Sequence, residues 1–304
     1  MKKLGDKIIN KEKYDFIIVD SLNQIHKYFW IHRDFSNKKG EPTGILYGIL
    51  TMILSLQKKY SSPKIVFCLD AYMNRRKNIS GDYKSGRTKK SDDFWTQYNL
   101  LINILEYYIK DIEIVYATGY EAEDVASNYL RRIKDKDKRI LLYSEDTDWF
   151  SMMANKNIHI YRQKEIWERD KVKEYLKKKY GELEIEDFNL FSILYGVSHN
   201  KVSGAFNKKK SLLIVDYIKK NKIQVDNYAD ILNVAQNFPK IKITEDVISK
   251  LERNWGLVRL YDKGYKLEIK KSKFNKEKIL EFCNRYELKS IEKKLFLKEK
   301  KHGK

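Results

Sequence analysis

Apolar residues in the first half of the chain fall into short, near-continuous runs separated by longer stretches with a helical rhythm. Residues 16–19, 64–69, 112–116, 139–143 and 158–161 read as strands. Between the first two lies a stretch at 43–59 with Ile45, Leu46, Ile49, Leu50, Ile53 and Leu54, the spacing of a helix with one buried face. Residues 93–109 and 121–133 read as further helices. Strands that are apolar on both faces and alternate with helices predict a parallel sheet covered on both sides.

From about residue 170 the rhythm becomes mostly helical, at 170–180, 185–195, 212–221, 228–237, 244–260 and 276–286. The expected architecture is α/β: a parallel sheet flanked by helices, then an α-helical lobe. We expect a core at 1–168, with a basic helical arch at about 71–95, and a mainly helical lobe and tail at 169–304. No Pro/Gly-rich linker separates the two, so they should pack together. The Lys-rich end, 293–304, reads as a frayed tail.

Composition narrows the partners. The 304 residues include 62 Lys+Arg against 42 Asp+Glu, a formal net charge of +20. With 22 Tyr, 13 Phe and 5 Trp the chain has the aromatics of a packed core. It has no apolar run of ~18 residues, so no membrane span is expected. A soluble protein this basic points to a polyanion, above all nucleic acid. Cys68 and Cys283 stand alone in apolar surroundings without a CxxC pair, which predicts structural thiols rather than a zinc site. The charged start at 1–7 is unlike a signal peptide, and a cytoplasmic setting, prokaryotic or in a virus-infected cell, is expected.

Acid follows the strands. The first runs into Asp20 and the second into Asp70. The third leads to Glu121, Glu123 and Asp124, and the fourth to Asp146 and Asp148. In an open parallel sheet the carboxyl ends of the strands form the ligand-binding rim. Any one such Asp is ordinarily a helix cap or turn former. Four such places along one rim strain that reading. Crowded carboxylates hold protons unless cations lie among them. Oxygen ligands select Mg²⁺ or Mn²⁺, and two such ions ~3.5–4 Å apart form the phosphoryl-transfer clamp of nucleases and polymerases. Glu121 and Asp124, three apart, share a helix face; Glu123 does not.

A basic segment begins directly after Asp70. From Arg75 to Lys90 it carries Arg75, Arg76, Lys77, Lys84, Arg87, Lys89 and Lys90 against the single acid Asp82, with Tyr83 among them. Cations beside the rim can grip a phosphodiester, and tyrosines can stack an unpaired base.

These motifs, in this order, resemble the 5′ nucleases: the exonuclease domain of bacterial DNA polymerase I, phage 5′ exonucleases, phage RNase H and eukaryotic flap endonucleases. The resemblance runs over nearly the whole chain. It takes in Ile17-Ile18-Val19-Asp20, Gly40-Glu41-Pro42-Thr43-Gly44, Leu69-Asp70, Tyr83-Lys84, Arg87, Glu121-Ala122-Glu123-Asp124, Ser144-Glu145-Asp146-Thr147-Asp148 and the closing helix at 279–288. It implies a divalent-metal-dependent 5′→3′ exonuclease and structure-specific endonuclease of replication. Its substrates would be 5′ flaps, nicked duplex, single-stranded 5′ ends and RNA primers in RNA–DNA hybrids. Asp20, Asp70, Glu121, Glu123 and Asp146 would hold a first Mg²⁺ or Mn²⁺, and Asp148, with Asp124 nearby, a second and weaker one. Lys84 and Arg87 would touch the scissile phosphate from a basic arch, with Arg75, Arg76 and Tyr83 also on nucleic acid.

The family carries a Gly-Asp-x-x-Asp-Asn run in a helix–turn–helix that binds duplex and supplies second-site carboxylates. Without a gap, Gly196 and His199 stand here where those aspartates fall, which depletes the second site; His199 is either a weak Mn²⁺ ligand or a solvated loop residue. Asn200, Lys201 and Gly204 keep the turn frame, and Lys208, Lys209 and Lys210 offer phosphate contacts. The chain is expected to act as a monomer with replication proteins as further partners, and the segment 293–297 could bind a sliding clamp or form a last packed turn. The alternatives are a binding protein of the same fold with weakened or lost cleavage, and a PIN-like ribonuclease.

Overall fold

The computed structural model describes residues 13–71 and 74–296. Five strands are parallel: β1 (Phe16–Asp20), β2 (Lys64–Cys68), β3 (Ile112–Tyr116), β4 (Ile140–Tyr143) and β5 (Ile158–Arg162). They match the expected runs to within a residue or so. β6 (Glu165–Trp167) turns back against β5. A small separate hairpin joins β7 (Gly196–Val197) to β8 (Val202–Ser203), and β9 (Glu268–Lys271) returns antiparallel to β3. The 7-stranded sheet has the order β6-β5-β4-β1-β2-β3-β9.

The central strands bury both faces because helices cover both. Alternate residues serve opposite cores: Ile17, Val19, Ile65 and Phe67 face one, and Ile18, Val66 and Cys68 face the other. The first core is closed by α2 (Gly44–Lys59) and α4 (Asp92–Leu105). The second is closed by α5 (Ala122–Arg132), α6 (Arg169–Tyr180), α7 (Phe188–Tyr195), α8 (Lys208–Lys220), α9 (Tyr228–Gln236) and α10 (Glu245–Val258). In β3 one residue breaks the pattern. Glu113 is buried and satisfied by the Tyr129 hydroxyl at 2.7 Å and Lys64 Nζ at 3.1 Å. Cys68 and Cys283 are both free and buried, as structural thiols should be. Among the described residues no helix is long and apolar enough to cross a membrane.

Three departures from expectation have physical causes. α1 (Ser21–Ile31) is not among the expected helices, although Leu22, Ile25, Tyr28 and Phe29 recur at helical spacing and pack on the α2–α4 core; among its residues only Ser21, Gln24 and Ile25 are buried, and its start is set by the Asp20 cap. The segment at 71–95 is not one helical arch: it holds the short α3 (Arg75–Ile79), then turns, then the start of α4. Finally, residues 268–296, assigned from the sequence to the helical lobe, pack on the first-half sheet. β9 pairs with β3, while α11 (Lys276–Arg285) and α12 (Lys289–Phe296) bury Ile279, Cys283 and Ile291 in the α2–α4 core. The last packed turn expected at 293–297 is thus the end of α12 up to Phe296, and Leu297 lies outside the described residues.

The helical lobe is tied to the β7–β8 hairpin by one buried amide. Asn254 in α10 is fully enclosed and its Nδ2 donates to the Ile193 carbonyl at 3.1 Å and the Ser203 carbonyl at 2.9 Å. Asn254→Ala should cost about 1–3 kcal/mol of unfolding free energy in urea titration, since it removes a fully buried amide that bridges α7 and β8. A loss below a few tenths would mean the hairpin is held elsewhere.

Candidate metal centre and nucleic-acid interface

The chain proceeds from β1 to β2 and β3 on one side of the sheet, then to β4 and β5 on the other. The order therefore reverses beside β1 and opens a crevice at the carboxyl ends of β1 and β4. Asp20 closes β1 at this crevice. Its Oδ1 caps α1 by accepting from the Asn23 amide at 3.2 Å, and its Oδ2 accepts from Ser144 Oγ at 2.7 Å. Asp70, two residues past β2, accepts from the Ala122 amide at 3.3 Å. Asp146 follows β4 and caps a 3₁₀ turn at Thr147–Met152, accepting from the Asp148 amide at 3.0 Å. Each acid is thus set by a strand end; Asp20 and Asp146 are fixed by local caps, and Asp70 by the first amide of α5.

Crowding leaves its mark on their proton affinity. Burial, then the neighbouring Asp70 carboxylate, pushes Asp20 up to about 7. Burial and then Asp146 push Asp148 up to about 7. Asp70 is raised by burial despite the nearby Lys84 ammonium. Asp146, Asp148 and His199 bring one ligand atom each within 4.8 Å of one another. The His199 imidazole lies 3.9 Å from Asp148 Oδ2, and burial lowers its proton affinity, which leaves a neutral ring able to ligate. Crowded carboxylates, with the proton affinity of Asp20 and Asp148 raised and an imidazole beside them, fit a divalent ion.

The other acids form a distinct group at the start of α5. Glu121 and Asp124 make a capping box. Arg76 lies inside this group, only 2% exposed. Its guanidinium pairs with Glu121, with Glu123 at 2.8 Å and with Asp124 at 2.9 Å. Lys84 Nζ reaches Glu121 Oε1 at 2.7 Å, and the Tyr83 hydroxyl donates to Glu121 Oε2 at 2.9 Å. Burial would raise Glu121, but Lys84 and Arg76 override it and hold this carboxyl well below the usual range. Burial and Glu121 push Glu123 up, and burial also raises Asp124.

All seven acids expected to hold metal therefore lie at this rim, in two linked groups. The basic residues divide differently. Arg76 and Tyr83, expected on nucleic acid, are instead turned inward: Arg76 neutralises carboxylates, and Tyr83 packs in a small core with Val197, Val202 and Leu257. Arg75 stacks on Tyr261 at 3.5 Å and donates to the Gly256 carbonyl at 3.2 Å. Arg87, Lys201, Lys208 and Lys209 remain exposed. The lysines at 208–210 open α8, where a helix dipole disfavours cations and an anion would relieve them. From the sequence Lys90 is only one of a basic run, Ser144 only a letter of a motif, and Asn74 is not singled out at all. Asn74 bonds Glu121 and the Arg76 amide. Burial lowers Lys90 to about 8, with Asp70 and Asp20 drawing it the other way. Asn74 and Ser144 stand within a few residues of Asp70 and Asp146, whereas Lys90, 20 residues past Asp70, is brought to the rim by the fold.

The turn at 196–204 corrects the expected register. Gly196 has φ +86°, and a Cβ there would sit 2.5 Å from both the Gly204 amide nitrogen and the Val202 carbonyl oxygen. No carboxylate side chain fits at 196. A Cβ on Gly204 would meet the Tyr195 carbonyl oxygen at 2.1 Å, so the two glycines make one close backbone approach. Moving the family's run along by one residue sets its glycine on Gly196 and its aspartates on the buried Val197 and on Asn200. His199 is then a neighbour of the metal group by geometry, not a replaced aspartate.

A mostly parallel sheet with an acidic crevice at its switch point, roofed by a basic segment, has the architecture of a metal-dependent phosphodiesterase. The family described as 5′-3′ exonuclease, N-terminal resolvase-like domain, matches residues 15–181, and the chain belongs to it. Among curated relatives, the 5′-3′ exonuclease of Aquifex aeolicus is 27% identical over 292 residues, 93% of each chain. That of Buchnera aphidicola from Schizaphis graminum is 27% identical over 237 residues, 76% of each. Among solved structures, a bacteriophage T5 flap endonuclease with DNA and metal ions aligns with TM-score 0.57 at 16% identity, over 81% of this chain and 89% of that one. Flap endonuclease-1 from Methanococcus jannaschii aligns with TM-score 0.54 at 15% identity, over 93% and 90%. These likenesses establish the shared fold.

Two measurements check this site. An acid whose proton affinity is raised on folding stabilises the protein at low pH and loses that contribution as pH climbs through its folded value. In EDTA, Asp148→Asn should therefore raise the melting temperature more at pH 8 than at pH 5; an equal gain at both would remove Asp148 from the crowded group. Gly196→Ala should cost at least about 1 kcal/mol of stability through its left-handed φ and the backbone clash, and a neutral effect would refute the corrected register.

Proposed function

We propose that this chain is a divalent-metal-dependent 5′→3′ exonuclease and structure-specific endonuclease. It cuts phosphodiesters at 5′ flaps, nicks and single-stranded 5′ ends of DNA, and in RNA primers paired to DNA. One observation carries the reading: Asp20, Asp70, Glu121, Asp146 and Asp148 meet at the switch point of the sheet with Lys84 among them and Arg87 exposed on the roof. The family relationship supports it. No observation favours a binding protein that has lost cleavage.

The oxygen-rich group suits Mg²⁺, and His199 adds a donor that Mn²⁺ accepts more readily. Asp20, Asp70 and Glu121 would hold one ion, and Asp146, Asp148 and His199 a second. When bound, such ions supply nucleophile activation and charge neutralisation at the reacting phosphate. The protein's own residues do the rest. Ser144 fixes the Asp20 carboxylate, and Asp20 and Asp148 would be the carboxylates most eased by a cation. Lys84 stands at Glu121 with its remaining N–H groups available to a phosphate oxygen, where a fixed cation acts most on the charge developing in the transition state. Arg87, Lys201, Lys208 and Lys209 would track the phosphate backbone.

The test is product mapping on 5′-labelled flap, nicked and RNA–DNA substrates with Mg²⁺, Mn²⁺ or EDTA. Products should be released from the 5′ side only with an ion present. Asp146→Asn should reduce cleavage by at least about a hundredfold while duplex affinity holds or rises, because a ligand is lost but repulsion of phosphate falls. Cleavage within tenfold of wild type in that variant, or none by the wild type on any of the substrates, would sink the proposal.

A further inference from the structure

Asn200 lies in the turn between β7 and β8, yet it is only 6% exposed. Its side-chain oxygen, its side-chain nitrogen and its backbone carbonyl each have a partner, in different parts of the site. Its Oδ1 accepts from Arg87 Nη2 at 3.1 Å. Its Nδ2 donates to Asp148 Oδ2 at 3.4 Å. Its backbone carbonyl accepts from the Lys84 amide at 3.3 Å. The next residue, Lys201, has φ +58° and sends Nζ to Ser85 Oγ at 3.2 Å. Beneath these contacts Tyr83 packs on Val197 and Val202. The basic segment is thus fastened to this turn, and one side chain spans from its arginine to a rim carboxylate. A residue serving only to grip DNA would keep its amide free at the surface.

We infer that Asn200 is a positioning residue that couples the basic segment to the Asp146–Asp148–His199 cation site, an inference that rests on the nuclease reading above. A carboxamide suits the place because it is donor and acceptor at once: its oxygen meets the guanidinium and its NH₂ meets the carboxylate. An aspartate would satisfy Arg87 and repel Asp148 unless a cation lay between them. The neutral amide bridges both partners without a cation, and a cation that fixes Asp148 holds that bridge, and Arg87 with it, more firmly. A cation that draws on Asp148 therefore also bears on Arg87, and a phosphate that engages Arg87 bears on Asp148. Such coupling is reciprocal: substrate tightens the cation, and the cation orders the roof.

The experiment uses the full chain, wild type, Asn200→Ala, Arg87→Ala and the double variant, with Mn²⁺ as the cation. The first readout needs no DNA: the rate of tryptic cutting within residues 84–90, with and without Mn²⁺. In the wild type Mn²⁺ should slow cutting about tenfold, within the usual range of coupling between sites. In Asn200→Ala that protection should vanish. The second readout is flap cleavage. Asn200→Ala should lower kcat at least tenfold with flap affinity within twofold, and the double variant should be no worse than the poorer single one. Asn200→Asp provides a second variant should the alanine chain not fold. It should bind Mn²⁺ at lower concentration and keep protection only when Mn²⁺ is present. Equal Mn²⁺ protection in wild type and Asn200→Ala overturns the inference. So does weakened flap binding at unchanged kcat, which would return Asn200 to a plain DNA contact. If the wild type cuts no substrate, the nuclease reading falls, while trypsin and Mn²⁺ binding still decide the coupling.

Discussion

The ion pairs of Arg76 are the interaction on which the rest of the site depends. Glu121, Glu123 and Asp124 lie close together at the start of one helix, and burying them without a counter-charge would cost several kcal/mol per ion. Arg76 meets all three with its two terminal nitrogens, and Lys84 adds a further positive charge at Glu121. Both cations come from the segment that follows Asp70. The roof is therefore held down by the same charges that make the floor tolerable, and neither would keep its shape without the other. Asp20, Asp146 and Asp148 have no ion pair to Arg76 or Lys84, and it is Asp20 and Asp148 whose carboxyls are driven up to about 7. The rim is half neutralised from within and half left for something that arrives.

Much of this was legible in the sequence because it follows from strand periodicity. An apolar run that ends in Asp20, or nearly reaches Asp70 or Asp146, places a carboxylate at a strand's carboxyl end whatever the rest of the chain does. The direction of the basic residues was not legible. In the run from Arg75 to Lys90 nothing local separates Arg76, which turns inward, from Arg87, which stays out; the difference arises because the acids of α5 lie beneath one and not the other. Tyr83 is the same case, an aromatic that could stack a base but packs against Val197 and Val202. The turn at 196–204 failed for another reason. Matching by Asn200 preserved a motif letter, whereas the backbone requires glycine at 196 and 204, and that requirement appears only when the two are seen in contact.

The helical half is less separate than its rhythm implied. Its residues share one core with the sheet: Ile18 and Val66 lie in the same cluster as Phe188, Phe191 and Ile214. That continuity sets the hairpin at 196–204 against the crevice with little freedom. It lets Asn200 act across a gap that loosely joined domains could not keep constant.

The return of β9 to the outer edge of β3 carries a consequence for how the protein is made. A ribosome releases the chain from its amino end, so the parallel strands and their helices are complete well before residues 268–271 emerge. Through that interval β3 is an edge strand with its outer row of amides and carbonyls unpaired, the kind of surface on which chains join each other. The strand that later covers it, Glu268–Lys271, has every residue exposed in part and is half lysine. As the outermost strand it presents charge to any passing neighbour. The nascent protein is thus most prone to aggregate late in synthesis, and the last strand to arrive is built to end that hazard.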